Sequence, residues 1–345
     1  MSAKYKNILH DSSASTTTTS ISFNFDTLCL KGDFKSPQFK FDKQQQERLF
    51  ISICNSEKLT FKKLSWLLSL EIFEELEVST NFSIFESLCK HEKFGTLQLL
   101  YGCVGPHITL SKYRQQQFFI NMCWSFGVNI PRILSWLLSL KMFKDVDIHA
   151  SNDLTFRSAC KRGCIDVVKW FLGLQGEQKI NKDATNSEGF LYACKNGHYE
   201  VVKCLLELTD DRRIDRELVN EGFIGACNNN AINTAELLLS LNCERRINDC
   251  DVIGGVLKSV CFQGYEELVN LLLSLVNDQR ISDSVVIGEA LLCACKEGHL
   301  EVVKMLMQLK QDQKINNNDV INMAFQFACE WQNVDIVRKI MSLGE

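Results

Sequence analysis

Proline is nearly missing from this chain, with 3 in 345 residues, and glycine is modest at 18. So few helix breakers among many Leu, Lys, Glu and Cys argue for a mostly helical protein. No alternating apolar–polar run is long enough to anchor a sheet. No stretch of about 18 apolar residues occurs, so no membrane span is expected. An excess of positive charge is also missing: the formal net charge is −4 and the pI about 6.0, which speaks against a global basic field for nucleic acid. The opening "MSAKYKNILHDSSASTTTTS" lacks the charged-then-apolar layout of a secretory leader. Histidines number 6 and no two sit at metal-ligand spacing beside acids. The phosphate-cradling GxxxxGK(S/T), the GxSxG elbow, HExxH and the kinase set are all missing. No catalytic residue, cofactor-binding residue or metal ligand is therefore assigned.

Cysteine, by contrast, is abundant, with 16. The cysteines lack the tight pairing of a disulfide or zinc framework, and no leader directs the chain to an oxidising compartment. They read as reduced thiols in a cytoplasmic setting, the protein's own or another cell's cytosol.

Composition shifts along the chain. Residues 1–40, with "DSSASTTTTS", form a polar low-complexity segment that buries too little to fold alone, and read as a flexible or partner-docked arm. Residues 41–345 are repetitive, divergent over 41–150 and clearer over 151–345. The repeat is set by one cysteine column: Cys54, Cys89, Cys123, Cys160, Cys194, Cys227, Cys261, Cys295 and Cys329, spaced 33 to 37 residues apart. Four residues before each cysteine stands Phe or Leu, from Phe50 to Phe325, on the same helix face. After the cysteine comes a short turn ("KRGC", "KNGH", "NNNA", "FQGY", "KEGH") in which Gly or Asn suits a left-handed helix stop. Apolar pairs at helical spacing follow, as in "YEVVKCLLEL" and "LEVVKMLMQL". Each unit is thus predicted to be an αα-hairpin of about 34 residues, stable only when stacked.

The units resemble ankyrin repeats, most closely in "ACKNGHYEVVKCLLEL" and "ACKEGHLEVVKMLMQL". The resemblance spans roughly residues 46–345 and is strongest from Phe156 to Leu309. It implies an all-α solenoid of ankyrin type. Two departures modify that expectation. The family's Thr-Pro helix start is missing, and its finger survives only as "QKIN", "RRID", "RRIN", "QRIS" and "QKIN". The segments after these remnants carry apolar residues at helical spacing, with Asp283 or Asp319 as a candidate N-cap. The first helix of each unit is therefore expected to be long and the β-hairpin finger reduced or absent.

The chemical-looking features have plainer readings. Cys194 belongs to the packing column, and His198 holds the family's turn position. Trp66, Trp136 and Trp170 form a column at helix spacing, expected to pack. An acid stands two residues before a base at Glu177/Lys179, Asp211/Arg213, Glu244/Arg246, Asp278/Arg280 and Asp312/Lys314. It reads as a solvated edge with self-compensating charge. Cys103, Cys243 and Cys250 fall in or near loops and are the thiols expected to be exposed.

The resemblance implies a protein partner, met through a concave surface without chemistry of the chain's own. Contacts in such repeats often come from the two variable residues after the small pair. Here these are Lys161 and Arg162, Lys195 and Asn196, Asn228 and Asn229, Phe262 and Gln263, Lys296 and Glu297, and Glu330 and Trp331, with Trp124 from an earlier unit. The chain is expected as a monomer or a subunit of a hetero-complex, and three other roles stay open: a structural subunit of a larger assembly, an effector acting on a host or foreign cytosolic target, and an enzyme with a site near Cys103, Cys243 or Cys250.

Overall fold

The computed structural model describes residues 85–104, 109–209, 211–277, 284–311 and 318–342. The chain divides into Met1–Ile84 and Phe85–Glu345, and all that follows concerns the second unit. The N-terminal arm, Cys54 with Phe50, Trp66, Asp283 and the charge pairs at 278/280 and 312/314 lie outside the described residues, as do the side chains of Cys103 and Cys243.

The described residues are helical, with no strand among them. After a helix through 85–90 come α1 (Phe94–Val104), α2 (Lys112–Cys123), α3 (Ile130–Ser139), α4 (Ala150–Arg162) and α5 (Ile165–Leu172). A π-helical stretch, Ala184–Phe190, runs into α6 (Leu191–Lys195). Then follow α7 (Tyr199–Leu206), α8 (Arg216–Asn228), α9 (Ile232–Leu239), α10 (Cys250–Gln263) and α11 (Glu266–Asn277). The series closes with α12 (Ser284–Glu297), α13 (Leu300–Gln311), α14 (Asn318–Glu330) and α15 (Val334–Met341).

Successive pairs pack as hairpins, and the hairpins stack in two layers. First helices touch first helices (α6 on α8, α8 on α10, α10 on α12, α12 on α14) and second helices touch second helices (α5 on α7 through α13 on α15). This is the expected ankyrin-type solenoid. The first helices are long, 13 to 14 residues in α8, α10, α12 and α14. Where fingers would stand, single 3-10 turns remain, Gly176–Gln178 and Cys243–Arg245.

The finger remnant does two jobs. Its isoleucine plugs the joint between units: Ile180, Ile214 and Ile247 are fully buried. Its Asn or Asp starts the next helix. Asn181 Oδ1 accepts the Ala184 N–H at 2.8 Å, and Asp215 Oδ1 accepts that of Leu218 at 2.9 Å. Asp249 Oδ1 takes those of Asp251 and Val252 at 2.9 and 3.3 Å. Each cap contributes roughly 0.5–2 kcal/mol. The other candidate, Asp319, stands inside α14 rather than before it, since that helix begins at Asn318.

The cysteine column packs as expected in every described unit but the last. Cys89, Cys123, Cys160, Cys194, Cys227, Cys261 and Cys295 are fully buried, as are Phe85, Phe119, Phe156, Phe190, Phe223, Leu257 and Leu291. The sulfur faces the next unit. The Cα of Gly222 comes so close that an added Cβ would lie 2.9 Å from Cys194 Sγ and 2.8 Å from Phe190 Cε1. Cys329 is the exception, exposed because no described unit stacks beyond α14, while its neighbour Ala328 stays buried.

Trp136 packs on Phe85, Phe94 and Tyr101, and Trp170 on Phe119 and Phe171, as a packing column should. Trp170 also donates from Nε1 to Ser135 Oγ at 2.8 Å. One feature had no sequence signal. Ser151, Asn152 and Asp153 in α4 have φ of 55°, 58° and 56°, a run of left-handed residues inside the helix. Each costs roughly 1–2 kcal/mol of steric strain. Local bonds offset it: fully buried Asp153 bonds His149 Nδ1 at 2.5 Å, and Arg157 donates to the Ser151 carbonyl at 2.8 Å.

Candidate partner-binding face

The residues singled out after the column cysteine stand at the ends of the first helices, where the chain turns into the second. The left-handed stop is Gly163, Gly197, Gly264 or Gly298, with φ between 71° and 83°, or Asn230 and Gln332 with φ 56°. Because first helices lie side by side, these helix ends form one row.

Most of the row is exposed: Lys161, Arg162, Lys195, Asn196, Asn228, Asn229, Phe262, Lys296, Glu297, Glu330 and Trp331, with Trp124 and Gln263 half-buried. Neighbouring units are brought into contact along it. Arg162 lies over the Trp124 ring at 5.2 Å, Lys161 over Tyr192 at 5.3 Å and Lys296 over Trp331 at 5.6 Å. Ser259 Oγ donates to Asn228 Oδ1 at 2.8 Å and accepts from Gln263 Nε2 at 3.1 Å. Phe262 and Trp331 leave 47% and 57% of their surface open, large values for aromatic side chains. Asn196 and Asn229 have a second duty. Each donates its amide to a carbonyl of its own helix, Tyr192 at 2.7 Å and Gly225 at 2.9 Å.

Beside the row runs a bond that local spacing does not announce. His198 Nε2 meets the Lys161 carbonyl of the preceding unit at 2.8 Å, and His299 Nε2 meets that of Phe262 at 2.9 Å. Asn333 Nδ2 meets the Cys295 carbonyl at 2.9 Å in the same way. The turn histidine is thus a clamp between units. The turn glycine makes room for it: a Cβ on Gly163 would lie 2.6 Å from His198 Nδ1, and one on Gly264 2.4 Å from His299 Nδ1.

The charge edge likewise works across units. Lys179 Nζ bonds Asp211 Oδ1 at 2.8 Å, and an Arg213 guanidinium nitrogen bonds Glu244 Oε2 at 2.9 Å. Lys179 and Arg213 thus each reach the acid of the next unit.

The buried thiols are poor reagents. Burial raises the pKa of Cys194 and Cys261 strongly, and pushes Cys227 and Cys295 up to about 12, so the thiolate needed for attack or metal binding is suppressed. Among the described residues, no group of three or more His, Cys, Asp and Glu is placed to hold a metal ion. Of the loop thiols, Cys250 is exposed at the start of α10. Among the described residues, no helix is long and apolar enough to cross a membrane.

Stacked αα-hairpins closed by left-handed turns define a helical repeat protein. The sequence matches the family described as ankyrin repeats (3 copies) over residues 156–251 and 257–345. The chain belongs to the ankyrin-repeat family, whose members generally serve as protein–protein interaction modules. No curated protein matches the chain.

Proposed function

We propose that this protein binds a protein partner along the row that follows the column cysteines, and performs no chemistry itself. The observation that carries the reading is the pairing of aromatic and cationic side chains across units: half-buried Trp124 with Arg162, and exposed Tyr192 with Lys161 and Trp331 with Lys296, with Phe262 open between them. Aromatic and arginine side chains dominate the energetics of protein interfaces. Here they sit on helices fixed by neighbouring units, so little ordering is needed on binding. Arg162, Phe262 and Trp331 are the proposed anchors. The buried, unpaired thiols of the cysteine column favour a reducing compartment such as the cytoplasm.

Affinity capture with the full chain against the Arg162→Ala/Phe262→Ala/Trp331→Ala variant tests this. Loss of a captured protein by the variant, at unchanged melting temperature, is the expected result. Capture of every partner at wild-type level by the variant removes the proposal. Repeating the capture without residues 1–45 tells whether the N-terminal arm contributes.

A second reading, a fixed subunit of a larger assembly, draws on the last described hairpin. Met323, Val334 and Met341 are exposed there at 44%, 56% and 62%, beside Cys329. Monodispersity of the isolated chain at high concentration speaks against it.

A further inference from the structure

The clamp is not made in every unit: Cys164, Ala231 and Tyr265 stand where others carry His or Asn, and the Ala231 joint opens a cleft. Ala231 stands where His198 and His299 stand in their units, and its methyl cannot reach the preceding helix end. The Lys195 carbonyl, equivalent to those of Lys161 and Phe262, receives no side-chain bond among the described residues. A Cβ on Gly197 would meet only Ala231, its Cβ at 3.2 Å, where Gly163 and Gly264 face an imidazole. The missing ring leaves a cleft of about 680 Å³ at the start of α9, lined among others by Lys195, Asn196, Asn229, Asn233, Thr234 and Glu267.

The cleft is built for something polar. Thr234 is fully buried, and its Oγ1 has no hydrogen-bond partner. Corresponding positions in other units are apolar: Val167, Val201 and Val302. A buried hydroxyl without a partner is costly unless an occupant supplies one. The N–H groups of Asn233 and Thr234 in the first turn of α9 are also without partners. The neighbouring second helices carry their own acid there, Asp166, Glu200, Glu266 with Glu267, Glu301 and Asp335, whereas α9, like α1 and α3, has none. The Lys195 side chain forms no ion pair among the described residues. Donors and positive potential therefore converge from three sources: the helix start, the ammonium and the hydroxyl. Glu267 of α11 also lines the cleft and offers an acceptor.

We infer that this cleft receives the side-chain carboxylate of an Asp or Glu from the bound protein partner. The carboxylate takes the donors of Lys195, Thr234 and the α9 N-terminus, while Glu267 accepts a backbone N–H of the same peptide. The cleft is continuous with the proposed row through Lys195, Asn196 and Asn229, which is why a peptide rather than a free acid is the occupant. The inference rests on the protein-binding reading for its biology. Its test does not use the partner, so the two fail separately.

The test is a titration of the full chain, carrying 13C-labelled threonine methyls, with N-acetyl-aspartate N-methylamide. The Thr234 signal is assigned with Thr234→Val. A saturable shift of that methyl is expected, with about tenfold weaker binding of the asparagine analogue and of acetate, since each loses one charge-assisted set of bonds. Ala231→His, which rebuilds the clamp to Lys195, should abolish the response and raise the melting temperature. Thr234→Val should keep the fold and weaken binding, read from the Asn233 amide. No saturable shift, an equal response to the asparagine analogue or to acetate, or a response that survives Ala231→His overturns the inference.

Discussion

The His198 imidazole and the Lys161 carbonyl, 37 residues apart, meet at 2.8 Å across a joint between units. The bond exists because Gly163, with φ 75°, offers no Cβ in the space the ring fills. Gly163→Ala would put a methyl 2.6 Å from His198 Nδ1 and strain the backbone at once. The expected loss is about 1–3 kcal/mol in denaturant unfolding. Gly197→Ala at φ 71° meets only Ala231 and should lose less than Gly163→Ala, about 1–2 kcal/mol, the cost of the left-handed backbone. Equal losses at the two sites would show that the clamp contributes nothing.

His149 gives stability a pH dependence. Partial burial lowers its pKa. The bond to Asp153, the Glu177 carbonyl and the carboxylates of Asp153 and Asp147 outweigh that, so the net shift is upward from 6.5. A raised folded-state pKa means that the charged ring stabilises the fold fully below the unfolded value and loses that contribution as pH rises through the folded value. The melting temperature of the wild type should therefore fall relative to His149→Gln as pH is taken from about 6 upward. Parallel curves for the two proteins would refute the assignment.

Thiol reactivity should divide by column. Cys250 and Cys329 are exposed, whereas Cys194, Cys227, Cys261 and Cys295 are buried. Mass mapping after brief alkylation of the native protein should find the first two modified. The other four should react only on unfolding, since burial both blocks access and suppresses the thiolate. Within the column, Cys227→Ser should cost about 1–3 kcal/mol if its hydroxyl is left without a partner. An unchanged midpoint would contradict its burial.

The charged edge should matter little. Lys179 and Asp211 are 34% and 68% exposed, so a double-mutant cycle between them should return about 0–1 kcal/mol and shrink with added salt. The same cycle between Glu177 and Lys179 should return less, because the bond runs to the next unit.

How far the fold was readable follows from what kind of distance each feature spans. The column of Cys194 and its equivalents, the Phe or Leu four residues before, and the left-handed turn are local in the chain, and helical periodicity displays them. The His198 clamp and the Lys179–Asp211 pair depend on the offset between stacked hairpins, which no local spacing encodes. His198 was legible as a turn residue and the charges as a ladder, but their partners were not. The cap at Asp215 was encoded by the finger remnant "RRID", whereas Asp319 has the same residue type but falls inside α14, which starts at Asn318. The left-handed run at Ser151–Asp153 left no trace, since none of its residues is glycine. Of the candidate face, the helix-end positions were readable from the repeat. The Ala231 cleft becomes visible only when that alanine is compared with the imidazole that fills the same place in the next joint but one.

The finger remnant holds each of the three described loops at two points, an isoleucine inside the joint and a carboxylate or amide on the following helix, so each of these units carries its own connection to the next. A copy of one unit inserted between equivalent turn positions would arrive with half of each joint already made. Lengthening this protein by whole units should thus be tolerated where loop insertions between Ile214 and Asp215 are not. A duplicated unit bearing Ala231 behind a lysine-containing turn would add a second cleft rather than a second clamp.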